Sequence, residues 1–363
     1  MNAAAFLTTA RPGPDEAAAA LASRDPAFRA ELVAAADERN RSLNGGRVTF
    51  IVNRNVNFTN VCAINCLFCG YSVRPGEKGA FLLSIDEVLD RVRASVPLGI
   101  REVCVTGGLH PGLRLRYLEE MVRAIAAAFP AIHIHAFSPM EVAWFAEREG
   151  LRPREVLGRL KDAGLGSMPG TAAEILVDEV RRRVCPGKMP AAAWVDIVKE
   201  AHHLGIRTTA TMMFGHVETD RDIAEHLSTI RGIQEETGGF TEFVALPFVA
   251  ARTQLKDTAG AARGHDPGRV IAIHVIIRLF FGDLIPHIQV SWTKLGVDLS
   301  RRTLHAGVSD MGGTLVEENI TRLAGGTHGQ YLPREAFVRL IRSEGFVPFM
   351  RDTLYADLVA ADA

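Results

Sequence analysis

The chain lacks an excess of charge of either sign: 41 Lys and Arg stand against 42 Asp and Glu, a formal net charge of −1 with histidine neutral. A nucleic-acid binder normally carries a basic excess, so that class is excluded and no nucleic-acid partner is expected. The chain also lacks any run of about 18 or more uncharged apolar residues, so no membrane span is expected. Its N-terminus has no basic segment followed by an apolar stretch and a cleavage site, so no secretory signal is read there. Cysteine is scarce and odd in number, five in 363 residues, and three of the five fall at positions 62, 66 and 69. That crowding suits metal binding in a reducing compartment rather than a disulfide framework, and the expected location is cytoplasmic. No low-complexity linker divides the chain.

What is present is a long alternation of short β-branched runs and helical periods. Strands are predicted at Val48–Val52, Glu102–Thr106, Ile132–Phe137, Leu165–Met168, Arg207–Met213, Glu242–Leu246, Ile288–Trp292 and Val308–Met311. Between them, Ile85, Val88, Leu89 and Val92 share one helical face, and Ser84 with Glu87 forms a capping box at its start. The segments Pro153–Ala163 and Pro190–Leu204 have Pro near the start and Gly just past the end, as helix termini prefer. Eight strands alternating with helices predict an α/β fold, a (β/α)8 TIM-type barrel; an open doubly wound sheet is the alternative. The expected division is a helical extension over 1–46, the barrel over 47–326 and a C-terminal helical extension over 327–363, with 259–266 the most loop-like interior stretch.

Barrel chemistry gathers at the C-terminal ends of strands. The segments Asn57–Tyr71, Gly107–Pro111, Ser138–Glu141, Met168–Glu174 and Gly215–Glu218 all fall there. The first contains Cys62-Ala-Ile-Asn-Cys66-Leu-Phe-Cys69, the spacing C-x3-C-x2-C. A closed zinc site needs four ligands, and only three are local; Cys104 reads as a strand-interior core residue and Cys185 is distant. A four-iron, four-sulfur ([4Fe-4S]) cluster on three cysteines leaves one iron open to chelate S-adenosylmethionine (SAM), whose reductive cleavage yields a 5′-deoxyadenosyl radical. Structural zinc is the alternative. The spacing, with Phe68 before the third cysteine, resembles the signature of the radical SAM superfamily.

A narrower resemblance follows from several segments taken in order. They are Asn57–Cys62, Gly107–Pro111, Phe137–Val142, Leu160–Leu176, Met212–Thr219, Gln234–Phe240 and Glu317–Ile320. Together they resemble the tyrosine-using transferase subunits of deazaflavin synthase, from about Val48 to Tyr355. Aminofutalosine synthase and the related cyclase of menaquinone biosynthesis are cousins and supply the alternative function; a diverged paralogue with another acceptor is a further one. The resemblance implies cleavage of L-tyrosine at Cα–Cβ and addition of the 4-hydroxybenzyl radical to 5-amino-6-(D-ribitylamino)uracil. It also implies an electron donor and a separate radical SAM subunit that completes the deazaflavin, because this chain has a single C-x3-C-x2-C. Cys62, Cys66 and Cys69 are implied as cluster ligands. Tyr71, Gly107, Gly108, Ser138, Glu174 and Arg181 are implied around SAM, although an Arg181-Arg182-Arg183 run also reads as a solvated helix face. Asn57, Thr59, His110, Glu141, His216, Glu218, Gln289 and Ser291 are the candidates for substrate contact, with Lys294 beside the last two. His133 and His135 alternate on one strand, with a structural role as open as a functional one. Two departures from the family pattern stand out: Gly70-Tyr71 in place of the usual Ala-Phe, and Ala250-Ala251-Arg252-Thr253 in place of a His-containing loop. That loop is expected to border the acceptor pocket and to alter acceptor preference.

Overall fold

The structure, a computed structural model, describes residues 5–9, 11–64, 66–258 and 265–361. Its strands in chain order are β1 (Arg47–Ile51), β2 (Asn53–Asn57), β3 (Glu102–Thr106), β4 (His133–Ala136), β5 (Ser167–Met168) and β6 (Arg207–Phe214). They continue with β7 (Phe240–Pro247), β8 (Ile288–Val290), β9 (Asp310–Gly313), β10 (Val347–Arg351) and β11 (Leu358–Ala360). β2 through β9 pair in parallel in the order β2-β3-β4-β5-β6-β7-β8-β9, and β9 pairs with β1. Only Val52 separates β1 from β2. Beyond β9 the chain stays beside β2, with Thr314 N donating to Ile51 O at 3.0 Å and Asn55 N to Val316 O at 3.1 Å. The run 47–57 therefore acts as one strand with β9 and its continuation on one edge and β3 on the other. Eight parallel strands close into a ring, as the periodicity predicts.

The outward faces of the strands are apolar and buried, as at Val103, Val105, Phe243 and Ala245, and they meet helix residues such as Leu160, Trp194 and Ile276. The expected caps hold these helices in place. Ser84 N donates to Glu87 Oε2 at 2.7 Å, and the helix Pro153–Ala163 stops at Gly164, whose φ of 115° favours glycine. No helix among the described residues is long and apolar enough to cross a membrane.

The interior of the ring is polar. At the N-terminal strand ends, Arg351 Nε donates to Asp310 Oδ2 at 2.6 Å, and its Nη2 reaches Glu242 and Gln289, each at 3.3 Å. The Tyr355 hydroxyl donates to Glu242, and the Tyr355 ring stacks on His287 at 3.8 Å. One level on, His133 and His135 both engage Ser167 Oγ at 2.7 Å, which gives them a structural role. The C-terminal segment thus plugs the floor of the barrel with charge.

This polar interior explains where the predicted elements fall short. β2 was not expected, because Asn53, Asn55 and Asn57 face inward and hide the apolar alternation. The tail beyond 326 holds the expected helix, Arg334–Ser343, but also β10 on β1 and β11 on β10; Pro348 inside β10 masks it as a strand. The predicted strand Ile288–Trp292 stops at Val290, since Trp292 opens a short helix. The N-terminal extension is helical as expected, over Ala5–Thr8, Pro14–Ala22 and Pro26–Asn44. Of the loop-like stretch 259–266, residues 259–264 lie outside the described residues.

Removing Arg351 strands Asp310 and Glu242 as buried, unmatched carboxylates. Arg351→Met is expected to destabilise the fold by about 3–5 kcal/mol, measured by chemical denaturation. A change at Val359, 41% exposed on β11, is expected to shift stability little and serves as the control.

Candidate active site

The cysteine loop leaves β2 and is tied down by its backbone. Thr59 Oγ1 donates to Phe81 O at 2.6 Å, Cys62 N to Val73 O at 3.1 Å, and Ala63 N to Leu109 O at 2.9 Å. Gly108 N donates to Thr59 O at 2.9 Å, which draws the end of β3 against the loop. A Cβ on Gly108 would lie 2.2 Å from Val61 O, and one on Gly107 2.6 Å from the Phe58 ring. Glycine at both positions is therefore a packing requirement of the loop itself. Next to them, Ser138 and Glu141 form a capping box: Ser138 N and Oγ donate to Glu141 Oε2 at 2.6 and 2.8 Å, and Gly107 N donates to Oε1 at 3.3 Å.

These pieces surround a cavity of about 320 Å³ at the C-terminal strand ends. Cys62, Cys66, Cys69, Tyr71, Gly107, Gly108, Ser138, Glu141 and Glu174 all line it, as do Thr211 and Met213 of β6, Leu246–Val249 at the end of β7 and just beyond, Lys294 after β8 and Ile320 and Ala324 after β9. All three thiols border the cavity, and among the described residues no group of three His, Cys, Asp or Glu is gathered to hold a single metal ion. A four-iron cluster takes one thiolate on each of three irons, whereas a closed zinc site needs four ligands, so a three-cysteine loop fits the cluster better than zinc. Burial pushes the Cys66 thiol up to about 12 and Cys62 upward, so a bound metal's charge would be needed to make them thiolates. All five cysteines are free.

Glu174 is held in the left-handed backbone region, φ 45°, a conformation that a non-glycine residue adopts only when its surroundings impose it. Its Oε1 lies 2.5 Å from Lys188 Nζ, whose ammonium sits 5.1 Å above the Phe68 ring. Its Oε2 is buried without a hydrogen-bond partner, 3.7 Å from Arg181 Nη1. An acceptor left over in a cavity-lining carboxylate suits a polar ligand such as SAM.

Several expected contacts do not reach the cavity. Arg181 is buried, not on a solvated face, yet it braces the loops on both sides of its helix, donating to Ala173 O at 2.7 Å and Met189 O at 2.7 Å. His216 and Glu218 carry turn chemistry: His216 Nε2 meets Met213 O at 2.9 Å, and Glu218 accepts from Gly215 N at 2.6 Å and His216 N at 2.9 Å. His110 Nδ1 accepts from Gly112 N at 2.9 Å, and Thr59 is consumed by the loop. Asn57 is buried with neither amide atom partnered and is not a lining residue. Gln289 belongs to the Arg351 floor, and Ser291 pairs with Thr293 at 3.4 Å.

The variant loop also needs correction. Phe248 and Val249 line the cavity, but Ala250–Thr253 does not. Ala250 packs with Cys66, Cys185 and Phe248, Arg252 N donates to Ala324 O at 3.0 Å, and Gln254 N donates to Leu67 O at 3.0 Å. The loop braces the cysteine loop from behind. Gly70 is matched to the same region, since a Cβ there would lie 2.6 Å from Ala324 Cα. Cys104, read as core, is half-buried and faces the cavity, while Cys185 is buried in the apolar cluster behind it. Lys188 was missed because it lies in a Pro-Gly-Lys-Met turn away from any expected strand end.

Two outcomes follow. Gly108→Ala is expected to push the loop off β3, lowering iron and sulfide per chain after anaerobic reconstitution while far-ultraviolet circular dichroism stays unchanged. Burial pushes the Glu141 carboxyl from 4.5 up to about 7. The folded protein then holds this proton longer than the unfolded chain, so ionising Glu141 weakens folding as pH rises from about 4.5 to about 7. Glu141→Gln should remove that part of the slope when stability is measured across this window.

Comparison with known proteins adds the family. A family model of the radical SAM superfamily matches residues 56–230, and one of the CofH/MqnC C-terminal region matches 237–361. The chain is 48% identical over 325 residues to a 5-amino-6-(D-ribitylamino)uracil–L-tyrosine 4-hydroxyphenyl transferase of Methanopyrus kandleri, covering 90% of this chain and 88% of that protein. It is 46% identical over 345 residues to an FO synthase of Mycobacterium tuberculosis, covering 94% of this chain but 40% of that longer protein. In fold it is similar to the FeFe-hydrogenase maturase HydG of Carboxydothermus hydrogenoformans, with TM-score 0.76 and 18% identity over 97% of this chain and 79% of that one. The chain belongs to the radical SAM superfamily and, within it, to the family of the 5-amino-6-(D-ribitylamino)uracil–L-tyrosine 4-hydroxyphenyl transferases.

Proposed function

We propose that this chain cleaves L-tyrosine at Cα–Cβ and transfers the 4-hydroxybenzyl fragment to 5-amino-6-(D-ribitylamino)uracil. The observation that carries this is one cavity that gathers three cysteines, the paired glycines and an unpartnered carboxylate oxygen, in a chain 48% identical to a transferase of that name. Cys62, Cys66 and Cys69 would hold the [4Fe-4S] cluster, and the Gly107–Gly108 backbone, Ser138, Tyr71 and Glu174 would border SAM. Bound there, cluster and SAM supply the 5′-deoxyadenosyl radical that takes hydrogen from the substrate. The chain's own part is to orient and shield. Leu109, Met140, Met213, Leu246, Phe248 and Ile320 give the cavity apolar walls, which keep water from a reactive carbon. Lys188 fixes one oxygen of Glu174, and the other has no hydrogen-bond partner among the described residues.

The reading includes an electron donor and a separate radical SAM subunit that closes the deazaflavin. The longer FO synthase, of which this chain spans 40%, supports a second activity supplied elsewhere. Five free cysteines suit a reducing compartment, consistent with a cytoplasmic location. The loop 250–253 gives no reason to invoke another acceptor, since it does not line the cavity.

The test is anaerobic incubation with SAM, dithionite, tyrosine and the diaminouracil, followed by mass spectrometry. Tyrosine is expected to stimulate 5′-deoxyadenosine formation, and a benzylated uracil should appear. Cys62→Ala, Cys66→Ala and Cys69→Ala should each abolish the cluster and this product, whereas Cys185→Ala should retain both. If tyrosine had no effect and an enolpyruvyl benzoate ether did, the chain would be an aminofutalosine-type synthase.

A further inference from the structure

Two lysines line the cavity, and their situations differ. Lys188 is matched by Glu174 at 2.5 Å. Lys294 rises from the short helix Trp292–Leu295 after β8, and its Nζ donates to Thr321 Oγ1 at 2.9 Å. Among the described residues no carboxylate forms an ion pair with it. Glu318 acts on it through space without forming an ion pair; its two oxygens share the Thr321 N–H, at 3.0 and 3.1 Å, where Glu318 caps the helix Asn319–Leu323. Burial lowers the Lys294 ammonium from its ordinary value, and the nearby Glu318 offsets only part of this. The Glu317–Ile320 segment, singled out in the sequence without a role, therefore ends up orienting a lysine toward the cavity through Thr321.

A cation with no ion-paired carboxylate among the described residues, in a mostly apolar cavity, suits an anion, and the ligands of the proposed reaction limit the choice. This inference rests on that reading. The ribityl uracil brings hydroxyls, amines and ring carbonyls, none of them anionic. SAM brings a carboxylate, but a cluster held by Cys62, Cys66 and Cys69 would offer it an open iron. Tyrosine brings the other carboxylate. We propose that Lys294, aimed by Thr321, anchors the α-carboxylate of the amino-acid substrate. The anchor lies at the wall made by the ends of β8 and β9, and Lys188 with Glu174 serves the SAM side.

The test is equilibrium binding to the reconstituted, SAM-loaded, unreduced protein, with L-tyrosine and L-tyrosinamide as probes. Wild type is expected to prefer tyrosine, because the amide lacks the charge. Lys294→Met should weaken tyrosine binding roughly 10- to 100-fold, the range for a lost charge-assisted hydrogen bond, while tyrosinamide binding stays near its wild-type value. Lys294→Arg should recover part of the tyrosine affinity. Equal loss of both probes would mark Lys294 as structural and overturn the proposal, as would unchanged tyrosine binding or a selective loss of SAM. Failure of the wild-type protein to bind tyrosine at all would instead overturn the proposed function and this inference with it.

Discussion

The approach of the β3 terminus to the cysteine loop is the contact on which the rest of the mouth depends. Gly108 N reaches Thr59 O at 2.9 Å and Ala63 N reaches Leu109 O at 2.9 Å, so the two segments are bonded in both directions. No side chain fits between them: a Cβ at 108 would meet the Val61 carbonyl at 2.2 Å. This contact sets where Cys62 stands. It also leaves Gly107 N free to bond Glu141, which starts the next helix, so the third strand end is positioned through the second.

Around that contact the cavity combines apolar walls with few, well-placed charges. Burying an ion without a partner costs several kcal/mol, so each charge here is either paired or waiting for a ligand. Lys188 and Glu174 are paired with one acceptor oxygen over; Glu141 is satisfied by amides and a hydroxyl; Lys294 has, among the described residues, a hydroxyl as its hydrogen-bond partner. The barrel floor follows the same rule with a different outcome. Arg351, Asp310, Glu242 and Tyr355 close on one another and leave nothing over, as expected of a plug rather than a site.

The ring of strands and the cysteine triplet were legible because their signals are local: β-branched runs between capped helices, and a spacing within eight residues. The contacts set by tertiary approach were not. Arg181 reads as one of three solvated arginines, yet it alone turns inward to hold two carbonyls of the loop before it. His216 and Glu218 stand at a strand end as catalytic groups do, and they satisfy their own turn. Ala250–Thr253 departs from the family pattern in sequence but acts behind the cysteine loop, where Gly70 and Ala324 already pack closely. Lys188 and Cys104 show the converse, since nothing in their neighbours' periodicity points them at a cavity. β10 was hidden by its proline and by pairing with a strand some 300 residues away, which no local pattern records.

The central claim is that Cys62, Cys66 and Cys69 would carry the cluster and leave one iron open to SAM. Electron-nuclear double resonance on the reduced protein, with SAM labelled by ¹⁵N at the amino group and ¹⁷O at the carboxylate, tests this most directly. The account predicts hyperfine coupling from both labels to the cluster. A spectrum unchanged by SAM, with a fourth thiolate such as Cys185 on the remaining iron, would contradict it.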